Sequence, residues 1–152
     1  MKTVHGDLIH LAKQGKFDVI IHGCNCFCSM GKGIALSIKK AFPASYHADC
    51  ETVKGEQNKL GSYSMALIQN KGHDLTVINA YTQFNHRGKG IKADYDAIRS
   101  VMGKVKKEFS GCRIGYPMIG AGLAGGDWNI IEEIILDELS GEDHTLVKFD
   151  KN

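Results

Sequence analysis

Two short glycine-bearing stretches are the places where this sequence can do chemistry. The first, Met30-Gly31-Lys32-Gly33, follows an apolar run (Val19, Ile20, Ile21) and precedes Ile34, Ile38 and Phe42 at helical spacing, with Ala35 and Ala41 beside them. Two glycines let a backbone approach a ligand closely, and a helix that starts there offers unpaired N–H groups and the positive end of its dipole. Such a loop can hold a phosphate, although a tight turn accounts for the same residues. The second stretch, Ile119-Gly-Ala-Gly-Leu-Ala124, is small, uncharged and rich in main-chain amides. A phosphate needs N–H donors and no carboxylate nearby, and each loop suits that need. Lys32 either adds charge to the first loop or points to water. His22 ends the apolar run, where it is either a satisfied core residue or a proton donor or acceptor. Asp127 follows the second loop, where it caps a helix or serves the site.

The elements that must position these residues follow from periodicity. Val19–Ile21 has no polar alternation, as a strand covered on both faces requires, and a strand is expected over 17–24. Helix spacing predicts 33–42, and Pro43 punctuates before a short helix over 44–53. An edge strand is expected at Thr3–His5, then a turn or two of helix over Asp7–Lys13 with Asp7 as its N-cap. A polar loop covers 55–61. Strands are expected at 63–69 and 75–81, joined by the hairpin-like turn Asn70-Lys-Gly-His.

The polar loop 82–90 starts where a strand ends. The clearest helix is 93–109, with Tyr95, Ile98, Val101, Met102, Val105 and Phe109 on one stripe. A strand at 113–116 leads into the second glycine loop. Asp127 then opens a helix whose inward face is Trp128, Ile131, Ile134, Ile135 and Leu139, and 144–149 closes the sheet. Strands alternating with helices predict an α/β fold, a three-layer α/β/α domain with right-handed crossovers. The loops after 17–24, 75–81 and 113–116 then share one rim, where ligands of open α/β sheets bind.

Bulk composition narrows the class. A chain of 152 residues is expected to form one domain over 1–152, and 43% hydrophobic with 24% charged residues is ordinary for a globular chain. The net charge of +2 gives no reason to expect nucleic acid as a partner. No apolar run reaches membrane-spanning length, so no membrane association is expected, and Met-Lys-Thr-Val-His-Gly-Asp at the start lacks a signal-peptide core. The five cysteines, at 24, 26, 28, 50 and 112, are an odd number without secretory context, which leads to an expectation of free thiols and a cytoplasmic location. Cys24-x-Cys-x-Cys28 lacks a second Cys or His pair, so no metal and no cofactor is expected there; small thiols packing a loop explain it.

His22-Gly-Cys-Asn25 followed by Gly31-Lys-Gly-Ile-Ala35 resembles the ribose-binding and glycine-rich segment of macro domains, the ADP-ribose-binding modules. Pro117-Met-Ile-Gly-Ala-Gly-Leu-Ala-Gly-Gly-Asp-Trp128 resembles the second phosphate loop of that family, and Gly6-Asp-Leu-Ile9 its adenine-binding corner. The three segments occur in the family's order, and the pattern of strands and helices accommodates the rest, with a mixed central sheet implied. The resemblance implies a contact set of Asp7, Leu8 and Ile9 at the adenine. Along the first loop it implies Gly23, Cys24, Asn25, Met30, Gly31, Lys32, Gly33, Ile34 and Ala35, with Asn25 on the distal ribose hydroxyls, unless that amide only fixes its loop. Thr82 and Gln83, then Met118, Ile119, Gly120, Ala121, Gly122, Leu123 and Ala124, complete the set.

Within the family the match is closest to the ADP-ribose 1″-phosphate phosphatase-like branch, where a histidine at the place of His22 precedes Cys-Asn and a glycine-rich loop. That branch implies hydrolysis of ADP-ribose 1″-phosphate, with His22, Asn25 and Asp127 as candidate catalytic residues. The alternatives are a non-catalytic binder of ADP-ribose or a related nucleotide, and a hydrolase that removes ADP-ribose from macromolecules. One hydrolase branch carries an aspartate where this chain has Ala35. Another uses a lysine and an aspartate where this chain has Thr82–Gln83 and Ala124, so neither machinery is complete.

Overall fold

The computed structural model of the protein describes residues 1–70 and 72–149, the side chain of Asn70 excepted. In chain order the elements are β1 (Lys2–His5), α1 (Leu8–Lys13), β2 (Val19–Cys24), α2 (Gly33–Ala41), α3 (Pro43–Cys50), a 3-10 turn (Gln57–Lys59), β3 (Tyr63–Asn70), β4 (His73–Tyr81), α4 (Tyr95–Phe109), β5 (Arg113–Tyr116), α5 (Trp128–Glu138) and β6 (Asp143–Lys148). Among the described residues these strands make one six-stranded sheet in the order β1-β6-β5-β2-β4-β3. β3 runs antiparallel to β4, and every other pairing is parallel, so the sheet is mixed.

The period-2 alternation of the central strands feeds two separate cores. Val19, Ile21, Ile78, Ala80, Ile114 and Tyr116 pack against Ile98, Val101, Met102 and Val105 of α4 and Ile131, Ile134 and Ile135 of α5. On the opposite face Ile20, Leu75 and Val77 meet Leu8 and Ala12 of α1, Ile38 of α2 and Phe42. Helices therefore cover both faces, which is the expected three-layer α/β/α arrangement.

Local hydrogen bonds accompany the places where the boundaries depart from the sequence pattern. β2 begins at Val19 rather than at residue 17, just after Asp18, whose N–H donates to the Arg113 carbonyl at 2.8 Å and whose carbonyl accepts from the Thr76 N–H at 2.9 Å. The two carboxylate oxygens of Asp18 accept from the Arg113 guanidinium at 2.9 and 3.1 Å and from the Arg113 N–H at 2.8 Å. That pairing holds the Asp18 carboxyl below its usual range. α4 starts at Tyr95 rather than 93 because Asp94 is its N-cap, accepting from the Ala97 N–H at 2.9 Å. Pro43 takes the first turn of α3, a position that needs no N–H donor. The expected polar loop at 55–61 carries the 3-10 turn. Of the expected hairpin turn, Lys71 lies outside the described residues. No described helix is long and apolar enough to cross a membrane.

Candidate functional site

Because β1, β2, β4, β5 and β6 all run parallel, the loops that follow β1, β2, β4 and β5 emerge at one rim. These loops are knitted to one another. The Cys26 N–H donates to the Phe84 carbonyl at 2.9 Å, joining the loops after β2 and β4. The N–H groups of Lys92 and Ala93 donate to the Ala124 carbonyl at 2.8 and 3.3 Å, joining the loops after β4 and β5. The Gly33 backbone meets the second glycine loop directly, since a Cβ there would lie 3.2 Å from Leu123 Cδ1. The two sequence-predicted glycine loops are thus neighbours at this rim, with Leu123, 74% exposed, as the contact between them.

The first loop presents the N-terminus of α2. Its N-cap, Lys32, makes no side-chain capping bond, so the first-turn amides of this nine-residue helix have no side-chain acceptor. Gly33 has φ +59°, the left-handed region that glycine adopts without strain. In the second loop Gly120 has φ +76°, and a Cβ there would press on Ile131 Cδ1 at 3.0 Å. Gly122 is different: its backbone is unstrained and the place of a Cβ is open space. Gly120 is therefore required by the fold, and Gly122 leaves room outside it.

Asn25, 7% exposed, closes its own loop: its Oδ1 accepts from the Phe27 N–H and its Nδ2 donates to the Ser29 carbonyl, both at 2.9 Å. One amide hydrogen and one lone pair remain for a ligand hydroxyl. Asp7 caps α1 by accepting from the His10 N–H at 3.0 Å, as the sequence predicts. Leu8 and Met30 share the core that Ile9, Ile34 and Ala35 flank, so the Asp7 corner adjoins the first loop. The side chains of Leu8, Cys24, Met30 and Ile119 are buried, which leaves their main-chain atoms as their means of contact with a ligand. Met118 and Ala121 are partly exposed on the second loop. Gln83 Nε2 donates to the Asn85 carbonyl at 2.8 Å.

Thr82 is buried beneath the end of β2, where its side chain explains Gly23. A Cβ at Gly23 would sit 2.7 Å from Thr82 Oγ1 and 3.4 Å from Ile119 Cγ2. Gly23→Ala is expected to lower stability by about 1–3 kcal/mol through overpacking. Thermal unfolding of a double-mutant cycle checks it: adding Thr82→Ala should recover much of the loss, and additive losses would reject the clash.

His22 is where sequence and geometry pull apart. It is fully buried, in register with Asn79 of β4, and its Nε2 lies 2.7 Å from Asn79 Oδ1. Asn79 Nδ2 donates to the Ser45 carbonyl at 2.9 Å and to Ser64 Oγ at 3.0 Å, so Oδ1 accepts from a His22 Nε2–H. Cys24 Sγ lies 3.7 Å from Nδ1 and 3.6 Å from Nε2, so it packs against the face of the ring and is not in line with either nitrogen. The neutral ring is paired through Nε2, and burial pulls its pKa from 6.5 down to about 4. In this conformation His22 shows no atom to solvent. Asp127 caps α5 by accepting from the Asn129 N–H through Oδ1 at 2.9 Å, while its own N–H donates to the Tyr95 hydroxyl at 3.0 Å.

The sequence did not single out the groups that hold the first loop from beneath. Lys59, 7% exposed, donates to the Cys26 carbonyl at 3.0 Å and stands 4.8 Å from the centre of the Tyr81 ring. Asp49, 1% exposed, accepts from the Tyr81 hydroxyl at 2.7 Å, and burial raises its carboxyl pKa. Cys28, in the left-handed region at φ 55°, donates to the Asp49 carbonyl at 3.3 Å. Cys24 and Cys26 pack with Tyr81 in a small third core, so thiols do pack this loop. Asn79 carried a signal, as a polar residue inside the apolar run of β4, whereas Asp49 and Lys59 lie in a segment that reads as surface.

The macro domain family model matches residues 21–135, more than half the chain and both glycine loops. The chain belongs to the macro domain family. A full-length relative, the uncharacterized 17.5 kDa protein of the tk-vs intergenic region of Enterobacteria phage T4, is 39% identical over 89% of this macro domain and 87% of that protein. The ADP-ribose 1″-phosphate phosphatase of Candida albicans is 28% identical over 89% and 91% of the respective chains. The DNA ADP-ribosyl glycohydrolase of Mycobacterium tuberculosis is 26% identical over 84% of this chain, which spans 35% of that protein. Among solved structures, the macrodomain of Mycobacterium tuberculosis DarG superimposes with a TM-score of 0.73 at 21% identity, covering 99% of this chain and 97% of that one, which shows the shared fold.

Proposed function

We propose that this macro domain, acting as one unit over residues 1–152, binds ADP-ribose at the crevice rim and hydrolyses ADP-ribose 1″-phosphate to ADP-ribose and phosphate. The observation that carries the reading is the meeting of two carboxylate-free glycine loops at Gly33 and Leu123, one of them the uncapped start of α2. Similarity to the Candida albicans phosphatase over nearly the whole of both chains supports the choice of substrate. A Thermosipho africanus DarTG solved in complex with ADP-ribose shares the fold, with a TM-score of 0.72 at 17% identity over 99% of this chain and 42% of that one. The unpaired thiols fit a reducing cytoplasm.

In this reading the diphosphate lies between residues 31–35 and 119–124, held by main-chain amides, and the adenine lies toward Asp7. Asn25 offers its remaining N–H and lone pair to the distal ribose. Amides from both loops stabilise charge that shifts among the oxygens of the 1″-phosphate, usually the larger catalytic contribution. Asp127 uses Oδ1 for its cap, so its second oxygen is the one offered to an attacking water. His22 contributes as a positioning residue, through Asn79 and Cys24, beneath the loop that carries Asn25.

Two measurements check this. Calorimetry should show ADP-ribose binding clearly tighter than AMP, and equal affinities would leave the glycine loops idle. A phosphate-release assay on ADP-ribose 1″-phosphate should be positive. Silence there, with free ADP-ribose released from a modified macromolecule, would replace the phosphatase reading by the glycohydrolase one; silence in both assays would leave a binder.

A further inference from the structure

Beneath the loop 25–29 lies a buried cation without a salt bridge. Lys59 is 7% exposed, and the ion pairs among the described residues use Lys2, Arg99 and Arg113 instead. Burying an ammonium is costly unless nearby groups compensate it. The Lys59 Nζ donates to the Cys26 carbonyl at 3.0 Å, stands 4.8 Å from the centre of the Tyr81 ring, and lies 3.8 Å from Cys28 Sγ. Cys28 is half-buried and has φ 55°, a left-handed backbone that a cysteine rarely takes. Its Sγ donates to the Asp49 carbonyl at 3.3 Å and lies 3.6 Å from Thr52 Oγ1. The thiol hydrogen is thereby directed at a carbonyl, while the sulfur accepts from the ammonium.

The other four thiols lack this arrangement. Cys24 and Cys26 are buried, which pushes both thiols up, and Cys26 Sγ donates to the Gln83 carbonyl at 3.6 Å. Cys50 pairs with the Tyr46 hydroxyl, and Cys112 packs against the core under α4 and α5. A carboxylate completes the group around Cys28. Asp49 is 1% exposed, feels the Lys59 charge, and keeps Oδ2 buried without a hydrogen-bond partner among the described residues. A buried oxygen without a donor is costly, and burial already favours the protonated carboxyl. An oxidisable sulfur, an amine beside it and an unpartnered proton acceptor are the parts of a condensation that joins nitrogen to sulfur.

We propose that Cys28 and Lys59 are a modification site, at which a peroxide drives a covalent crosslink beneath the Asn25 loop. The oxidant is hydrogen peroxide or an organic hydroperoxide. The Cys28 sulfur attacks one peroxide oxygen, the O–O bond breaks, and the thiol proton goes to the departing oxygen. Cys28 sulfenic acid and water or an alcohol result; sulfur loses two electrons and the peroxide gains them. The Lys59 ammonium then loses one proton, for which Asp49 Oδ2 is the unpartnered acceptor, and its lone pair attacks the sulfenyl sulfur. The S–N bond forms, the S–O bond breaks, and hydroxide leaves as water with a second ammonium proton. One hydrogen stays on nitrogen in the resulting sulfenamide, which a thiol reductant reverses. The link removes the buried positive charge and ties residue 28 to residue 59. Asn25 closes the same loop through Phe27 and Ser29, so the crosslink bears on it directly. An effect on ADP-ribose binding rests on the reading given above; the crosslink itself does not.

Intact-mass measurement and peptide mapping of the whole protein, before and after a small excess of hydrogen peroxide, test the proposal. The oxidised wild type should lose two hydrogen atoms and yield a peptide joining Cys28 to Lys59, and dithiothreitol should return the original mass. Cys28→Ser should yield no such peptide. Lys59→Met keeps an apolar stem but has no nitrogen, so its Cys28 should stop at the sulfenic acid and take up dimedone more than the wild type does. Mapping of the wild type decides the matter even where Lys59→Met fails to fold. A loss of two hydrogens that maps to a disulfide, or oxygen gained at Cys28 with Lys59 unlinked, would overturn the proposal. So would equal dimedone labelling of the wild type and a folded Lys59→Met protein. Calorimetry reads the consequence: the crosslinked protein should bind ADP-ribose about tenfold more weakly, the loss of one good hydrogen bond, and regain its affinity with dithiothreitol. Equal affinity before and after crosslinking would overturn the link to the Asn25 loop, whereas a crosslink in a protein that never binds ADP-ribose would reject the ADP-ribose reading alone.

Discussion

Gly122→Glu is expected to abolish ADP-ribose binding while leaving the fold intact. Gly33 and Gly120 cannot support such a test. Gly120 needs its left-handed backbone and has Ile131 against it, and Gly33 would meet Leu123, so a variant at either would confuse folding with binding. Gly122 has neither constraint: a Cβ there points into space free of other atoms within 4 Å. If that space is where a phosphate lies, the new carboxylate brings bulk and like charge together. Two like charges about 4 Å apart near a protein surface repel by about 4 kcal/mol, close to a thousandfold in affinity. Calorimetry should therefore show a loss of at least about a hundredfold, and thermal unfolding should shift by no more than a surface substitution allows. A folded variant that binds ADP-ribose as the wild type does would remove the second loop from the phosphate site.

The glycine loops were legible in the sequence because their chemistry is in their composition. Glycine-bearing residues between a strand and a helix serve as a tight turn or as a main-chain anion site, and both stretches fall at the same rim. The strands and helices were legible because β2 opens on a continuous apolar run, β4 is largely apolar and α4 carries a clean apolar stripe. Boundaries were less legible where one side chain decided them, as Asp94 does by capping α4. Contacts between loops carry no period at all. Nothing in the residue pattern says that Leu123 leans on Gly33 or that Phe84 accepts from Cys26. The network under the first loop was hidden for a related reason. Asp49 and Lys59 belong to a polar segment, and only the fold turns them inward, where Tyr81 and the Cys26 carbonyl receive them. Asn79 was the exception, visible as the polar residue of β4, but pairing it with His22 required the strand register.

His22 provides the other large effect, and stability is where it should appear. His22→Ala removes a fully buried ring and strands Asn79 Oδ1 without a donor, a loss of about 3–5 kcal/mol from cavity and unpaired polar group together. For a chain of this size that corresponds to a fall in Tm on the order of 10 °C. Reduced turnover in that variant would not by itself reveal a proton-transfer role, because a loosened Asn25 loop gives the same result. His22→Gln separates the two. Its amide can still donate to Asn79 Oδ1 but cannot accept a proton at neutral pH. Phosphate release by a folded His22→Gln protein is therefore expected to stay near wild type. The pH dependence of stability should change in the same variant. The folded ring has a pKa of about 4 against 6.5 for a free one, so between those values the unfolded chain takes up a proton that the folded chain refuses. Stability then falls as the medium is acidified below pH 6.5, by about 3 kcal/mol across the window for this one group. Urea unfolding at pH 7 and near pH 4.5 should show that share of the slope missing from His22→Gln, with the slope from His144, whose pKa burial also lowers, retained. An unchanged slope would mean that His22 titrates freely in the folded protein, and a folded His22→Gln variant without phosphate release would return the imidazole to proton transfer.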